Sequence, residues 1–183
     1  MVKVKRLHED AVIPKYAKPG DSGFDLVAVE DVIIEPGETK VIPTGLAFEI
    51  PNGYEMQVRP RSGISRKTKL RVVLGTIDSG YRGEVGVIVD NASIIEYASQ
   101  PRFVAAVLAG DGDFNITKPV KYETIKIRKG DRIAQGVLAA VGHTTFEEVE
   151  ELSESERGED GYGSTGMDIS RQLEFDFEKG GVK

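Results

Sequence analysis

Asp78 precedes Tyr81 by three residues in Gly75-Thr76-Ile77-Asp78-Ser79-Gly80-Tyr81-Arg82-Gly83, a glycine-bounded stretch that reads as a hairpin. A carboxylate fixed in such a turn can take a proton from water when a phosphorus lies within that water's reach. The ring can stack on a sugar or floor a pocket. The plainer reading is a β-hairpin with Asp78 in an Asx-turn. Pro60-Arg61-Ser62-Gly63 follows a strand pattern and turns. Arg61 offers a planar fork for a phosphate or a structural carboxylate, Ser62 a hydroxyl donor, and Gly63 a close backbone approach. Its plainer reading is a strand-ending turn with Ser62 as a helix N-cap.

Three further segments carry chemistry. In Lys129-Gly130-Asp131-Arg132-Ile133-Ala134-Gln135, Asp131 and Arg132 read as a structural ion pair, while Gln135 offers an amide to a phosphate. In Ser22-Gly23-Phe24-Asp25-Leu26, Asp25 sits where a loop enters a strand. It either caps local backbone or helps hold a hydrated Mg2+, which keeps most of its waters and takes few carboxylates. Arg157 to Gly166 is a glycine-rich arm with one arginine, one ring and two hydroxyls. It suits a lid: Tyr162 stacks on a base, while Arg157, Ser164, Thr165 and the backbone N–H groups about Gly163 surround a terminal phosphate. It is not a GxxxxGK[ST] loop, having neither the lysine nor a following helix. A disordered tail is the alternative.

The elements that must position these residues are strands. Alternating or β-branched runs occur at Val2 to Leu7, Val32 to Ile34, Leu46 to Ile50, Tyr54 to Val58, Val85 to Val89, Ile125 to Ile127 and Ile133 to Val141. Turn signals such as Glu35-Pro36-Gly37-Glu38, Pro51-Asn52-Gly53 and Lys129-Gly130-Asp131 separate them. Many short strands so punctuated predict an all-β sandwich, barrel or jelly roll. A short helix is expected to start at Ser62 or Ser65. Residues 92 to 124 look like an insertion between two strands. The organisation expected is a core over 1–152, an arm over 153–166 and a tail over 167–183.

Composition narrows the function. The chain has 183 residues and a net charge of −6, where a sequence-independent nucleic-acid binder is more often basic. The basic run Arg66, Lys67, Lys69 and Arg71 reads as a solvated face. There is no cysteine, so disulfides, thiolate zinc sites and cysteine nucleophiles are excluded. No apolar run approaches the ~20 residues that cross a bilayer, and Met1 to Asp10 is unlike a signal peptide. A cytoplasmic protein with neither nucleic-acid nor membrane partners is expected. His8 and His143 show no partner spacing and read as non-functional.

Taken together, the five segments resemble the ordered motifs of the trimeric deoxyuridine triphosphatase (dUTPase) family, from about Val4 to Gly166, interrupted at 92 to 124. The insertion between the third and fourth motifs is similar to those of some bacteriophage members. The resemblance implies a jelly-roll-like (distorted β-barrel) subunit, a homotrimer with active sites at subunit interfaces, and Mg2+-dependent hydrolysis of dUTP to dUMP and pyrophosphate. Such an activity limits uracil incorporation into DNA and supplies dUMP for dTMP synthesis. Carried over, Asp78 is the general base, Tyr81 lies under the deoxyribose, and backbone of Gly75 to Asp78, Ile77 included, reads uracil. Arg61, Ser62, Gly63 and Gln135 belong to the phosphate site, and Asp25 positions the metal through water. Arg157, Gly163, Ser164 and Thr165 hold the γ-phosphate and Tyr162 stacks on uracil. Tyr162 stands where phenylalanine is usual, and Asp160 adds a negative charge near the γ-phosphate. Two alternatives compete: a phage regulatory protein that binds a repressor through 92 to 124, and a dCTP deaminase of similar fold.

Overall fold

The computed structural model describes residues 1–93, 105–107 and 123–159. Among them twelve short strands and one short helix alternate with turns, the all-β, jelly-roll-like fold expected. The strands are β1 (Lys3–Arg6), β2 (Phe24–Val27), β3 (Val32–Ile34), β4 (Thr39–Pro43), β5 (Leu46–Glu49) and β6 (Tyr54–Arg59). After helix α1 (Ser62–Lys67) come β7 (Leu70–Val72), β8 (Gly75–Ile77), β9 (Gly86–Asn91), β10 (Ala105–Val107), β11 (Thr124–Ile127) and β12 (Arg132–Ala140). The helix begins at the first of the two serines expected. No helix of the described residues is long and apolar enough to cross a membrane.

The strands form four small sheets, in the orders β1-β5, β10-β11-β3, β2-β12-β6-β8 and β4-β9-β7. Alternation explains the packing. In β9, Val87 and Val89 are buried while Ile88 between them is exposed, so one side chain in two enters the core. Leu26, Ile34, Ile42, Leu46, Met56, Leu70, Val85, Ile127 and Ile133 complete a continuous apolar cluster. Strands β4 and β7 escape the sequence pattern. The first ends at Pro43, two residues before Gly45, and the second overlaps the end of the basic run Arg66 to Arg71, with Leu70 fully buried and Val72 packed against the core.

The expected hairpin at Gly75 to Gly83 takes another form. β8 pairs with β6, whereas β9 pairs with β4 and β7, so the turn carries the chain from one sheet to another. Local sequence encodes the turn but not which strand receives the chain after it.

Asn91, buried at the end of β9, fastens the two margins of the 92–124 segment. Its Nδ2 donates to the carbonyls of Ile34 and Glu123, both at 3.0 Å, and its Oδ1 accepts the Ser93 N–H at 3.2 Å. Glu123 beside it has φ +61°, a left-handed conformation that costs an ordinary side chain about 1–2 kcal/mol. Within the segment, β10 runs parallel to β11.

The compact unit is Met1–His143, and Thr144–Lys183 forms a second unit. The described part of the latter, 144–159, is exposed throughout and contains neither helix nor strand.

Candidate active site

The sheet β2-β12-β6-β8 positions the site. Gln135 on β12 lies opposite Asp25 on one neighbour and Arg59 on the other. The next residue, Gly136, lies between Phe24 and Val58. A Cβ there would stand 2.7 Å from Phe24 Cζ and 3.2 Å from Met56 Sδ. Only glycine lets the Phe24 ring cross β12 so closely, and that ring sets the position of β2 and thus of Asp25. A register shift between Arg132 and Ala134 re-aims Arg132, as bulges beside functional sites commonly do.

At the end of β6 the chain turns through Pro60 into α1. Its N-cap is Arg61, with no side-chain capping bond. The N-cap role considered for Ser62 is therefore overturned: Ser62 is the first helical residue and its hydroxyl is not used as a cap. The Arg61 Nη1 donates to the Arg132 carbonyl at 2.8 Å. Its Nε is 3.0 Å from Asp25 Oδ1, but outside hydrogen-bond geometry, so this contact is an ion pair. Arg132 Nη1 approaches the other oxygen, Asp25 Oδ2, at 3.6 Å. Asp25 is thus held between two guanidinium groups. The ion pair expected between Asp131 and Arg132 is replaced by this arrangement, and Asp131 Oδ2 instead closes its own turn by accepting the Arg128 N–H at 2.8 Å.

These residues surround a cavity of about 240 Å³, walled by Arg61, Ser62, Gly63, Ile64, Lys67, Thr68 and Gln135. Arg61, Ser62, Gly63 and Gln135 come from two separate segments of sequence, and Asp25 from a third backs Arg61. Lys67 and Thr68 are additions that the sequence reading missed, having placed Lys67 on a solvated face. The available signal was spacing: once a helix starts at Ser62, Gly63 and Lys67 are i and i+4 and share a face.

Asp78 and Tyr81 lie elsewhere. Gly75 is opposite Val58, but Ile77 is opposite Met56, three residues back along β6 from Arg59. At ~3.3 Å per residue, β8 therefore carries the chain about 10 Å away from the level of Gln135 before Asp78 is reached. The turn is firmly built. The Tyr81 N–H donates to the Asp78 carbonyl at 3.1 Å, the Tyr81 hydroxyl to the Glu84 carbonyl at 3.0 Å, and Arg82 Nη1 to the Ser79 carbonyl at 2.7 Å. The Tyr81 ring lies against Gly83, where any Cβ would collide with it. At the base, Glu84 Oε1 accepts the Gly45 N–H at 2.7 Å. The exposed Asp78 carboxylate makes no hydrogen bond or ion pair among the described residues. The Asx-turn alternative is accordingly not formed, and the carboxylate stands clear of its own turn.

Arg157 lies in an exposed turn of the second unit. Tyr162, Gly163, Ser164 and Thr165 lie outside the described residues, as do Asp160 and most of the 92–124 segment. Among the described residues no three His, Cys, Asp or Glu side chains converge as a metal cage.

Comparison with known proteins bears on what this arrangement does. The family model described as dUTPase matches residues 9–110 and 114–166. A deoxyuridine 5'-triphosphate nucleotidohydrolase of Nautilia profundicola is 45% identical over 167 residues, covering 90% of this chain and 98% of the relative. Among solved structures, the dUTPase of Staphylococcus bacteriophage 80alpha with dUPNHPP superimposes with a TM-score of 0.83 at 36% identity, covering 91% of this chain and 99% of that one. A mutant dUTPase from phage phi11 of S. aureus, described with a structural Mg(II) ion, gives 0.77 at 33% identity, covering 84% and 99%.

Proposed function

The chain belongs to the dUTPase family and hydrolyses dUTP to dUMP and pyrophosphate; on that premise we propose that Asp78 is the general base and that phosphates bind in the cavity at Arg61 to Gly63 and Gln135. The observation that carries the reading is that Arg61, Ser62, Gly63 and Gln135, from separate segments, wall one cavity of about 240 Å³, backed by Asp25.

In this mechanism the Asp78 carboxylate accepts a proton from a water whose oxygen attacks the α-phosphorus. The bond from that phosphorus to the α–β bridging oxygen breaks, and its electron pair leaves with pyrophosphate. Ser62 and Gln135 donate to phosphate oxygens. Asp25 would hold a hydrated Mg2+ through water, and the ion would supply positive charge against the charge developing on the leaving group. Tyr81, preset against Gly83, supports the sugar, and a 2′-hydroxyl or a thymine methyl is rejected by clash with the braced turn. Arg157, Gly163, Ser164 and Thr165 close on the γ-phosphate and Tyr162 stacks on the base, drying the site.

The same geometry supports a homotrimer. Within one copy the Asp78 turn leads away from the cavity, so we assign the Asp78–Tyr81 turn of one subunit to the cavity of another. The outer face of β4-β9-β7 supports self-association. Val41 faces Ile88 across the ladder, Val73 is bonded beside Ile88, and with Leu74 they form an exposed apolar row. The work of the enzyme belongs in the cytoplasm. The competing regulatory reading, repressor binding through 92 to 124, is not favoured, since the relatives are named for nucleotide hydrolysis.

The test is pyrophosphate release from dUTP, dCTP and dTTP by the wild type and Asp78→Asn. Wild type is expected to turn over dUTP alone with added Mg2+. The variant should lose turnover by about 10²–10⁴-fold, the usual size of a general-base contribution, yet still bind a non-hydrolysable dUTP analogue. Unchanged turnover would remove Asp78 from this role.

A further inference from the structure

We infer that Lys67 is a further substrate-binding residue for this reaction, its ammonium neutralising the phosphate groups that leave as pyrophosphate. The inference rests on the proposed phosphate site and extends it to a residue outside the five segments. It follows from how the charges around the cavity are distributed.

Two of the cations nearby are already compensated. Arg61 donates through Nη1 to the Arg132 carbonyl and lies 3.0 Å from Asp25. Arg132 approaches the same carboxylate at 3.6 Å. Together they hold β2, β12 and the start of α1 in register, and Asp25 cancels part of their charge. Thr68 is engaged as well: its hydroxyl donates to the Ile64 carbonyl at 2.9 Å and accepts the Leu70 N–H at 3.1 Å. Lys67 differs from all of these. It lines the same cavity, is exposed, and forms no ion pair among the described residues.

The cavity wall thus offers one uncompensated cation, carried on the same helical face as Gly63. A triphosphate brings several negative charges, and most of them depart with the pyrophosphate. A lysine ammonium is a compact charge with three donors on a flexible stem, able to follow oxygens that move as the bridging bond breaks. Arg61 is fixed at two points and cannot follow them. Lys67 supplies mobile charge to the phosphates; Arg61 acts as a positioning residue that supports the cavity.

The experiment uses full-length Lys67→Ala, Lys67→Arg and, as a control on the same basic run but outside the cavity, Lys69→Ala. Three ligands are titrated: an α,β-imido dUTP analogue, inorganic pyrophosphate and dUMP. Lys67→Ala is expected to bind the analogue and pyrophosphate about 10- to 100-fold more weakly, the size of one lost charge-assisted hydrogen bond. Its affinity for dUMP and its melting temperature should match the wild type. Lys67→Arg should recover most of the loss, and Lys69→Ala should behave as wild type. Equal affinity of Lys67→Ala and wild type for analogue and pyrophosphate would overturn the inference. So would a matching loss for dUMP, which would mark Lys67 as structural. If the wild type itself fails to hydrolyse dUTP, the proposed function fails instead, a result separable from both.

Discussion

Arg61→Lys is the most demanding test of how the site is held, because it keeps the charge and removes the fork. The guanidinium makes two contacts at once, to the Arg132 carbonyl at 2.8 Å and to Asp25 at 3.0 Å. A lysine ammonium is a single point and can serve one of them well. A hydrogen bond from a charged donor contributes about 1.5–3 kcal/mol. Arg61 keeps 28% of its side chain exposed and Asp25 24%, so water partly replaces what is lost, and the lower end applies: about 1–2 kcal/mol. The ion pair itself adds less than about 1 kcal/mol at that exposure, and lysine retains part of it. In a chain of this size each kcal/mol lowers the melting temperature by about 2–4 °C.

The loss of activity should be larger than the loss of stability. Without the fork, the start of α1 is no longer fastened to β12, and Ser62 and Gln135 lose their fixed separation across the cavity. Misplacement of a binding group by about 1 Å is enough to cost ~10²-fold in rate. Urea unfolding measures the first effect and pyrophosphate release from dUTP the second. The expected result is a mildly destabilised protein whose kcat/KM falls by about 10²-fold. Unchanged kcat/KM would show that only the positive charge of Arg61 matters, and would refute its role in positioning.

Other perturbations probe the elements behind the site. Gly136→Ala should destabilise by about 1–3 kcal/mol, the usual cost of overpacking, because the new methyl meets the Phe24 ring; thermal melting reads it, and hydrolysis should fall too as Asp25 shifts. Asn91→Leu leaves the carbonyls of Ile34 and Glu123 and the Ser93 N–H without their partner. At about 1–3 kcal/mol for each buried unsatisfied group, a total loss of at least about 3 kcal/mol by urea unfolding is expected. Asp31 is held below the usual carboxylate range, chiefly by its hydrogen bond from Lys126 and then by the Lys129 N–H. Its stabilisation is therefore present above the unfolded pKa and lost as pH falls through the lower folded value. Asp31→Asn should destabilise by less than about 1 kcal/mol near neutrality, since the carboxylate is largely exposed, and not at all at pH values below the folded pKa. A difference from wild type that persists in acid would contradict that assignment.

Much of the architecture was legible because burial on a pleated strand repeats every second residue. That pattern located β1, β3, β5, β6, β9, β11 and β12 and predicted an all-β fold. It failed at β4 and β7, where proline, glycine and a run of cations disguise a single buried side. The segments bearing Asp25, Arg61, Ser62, Gly63, Asp78 and Gln135 were also recognisable, since each joins a reactive side chain to the glycine or turn that presents it.

What the linear chain determined was the inventory: which carboxylates, guanidinium groups, hydroxyls and amides are available, and which stretches turn. The tertiary structure decided which of them are already occupied. Asp25 and Asp78 look alike as residues two positions from a glycine, yet one carboxylate lies between two guanidinium groups while the other makes no hydrogen bond or ion pair among the described residues. Arg61 offered its fork to a phosphate or to a carboxylate and is fastened to β12 and paired with Asp25, whereas Lys67 looked like surface and lines the cavity. Charge compensation depends on distances of a few ångströms between segments far apart in sequence, and only the pairing of β2, β12 and β6 sets those distances.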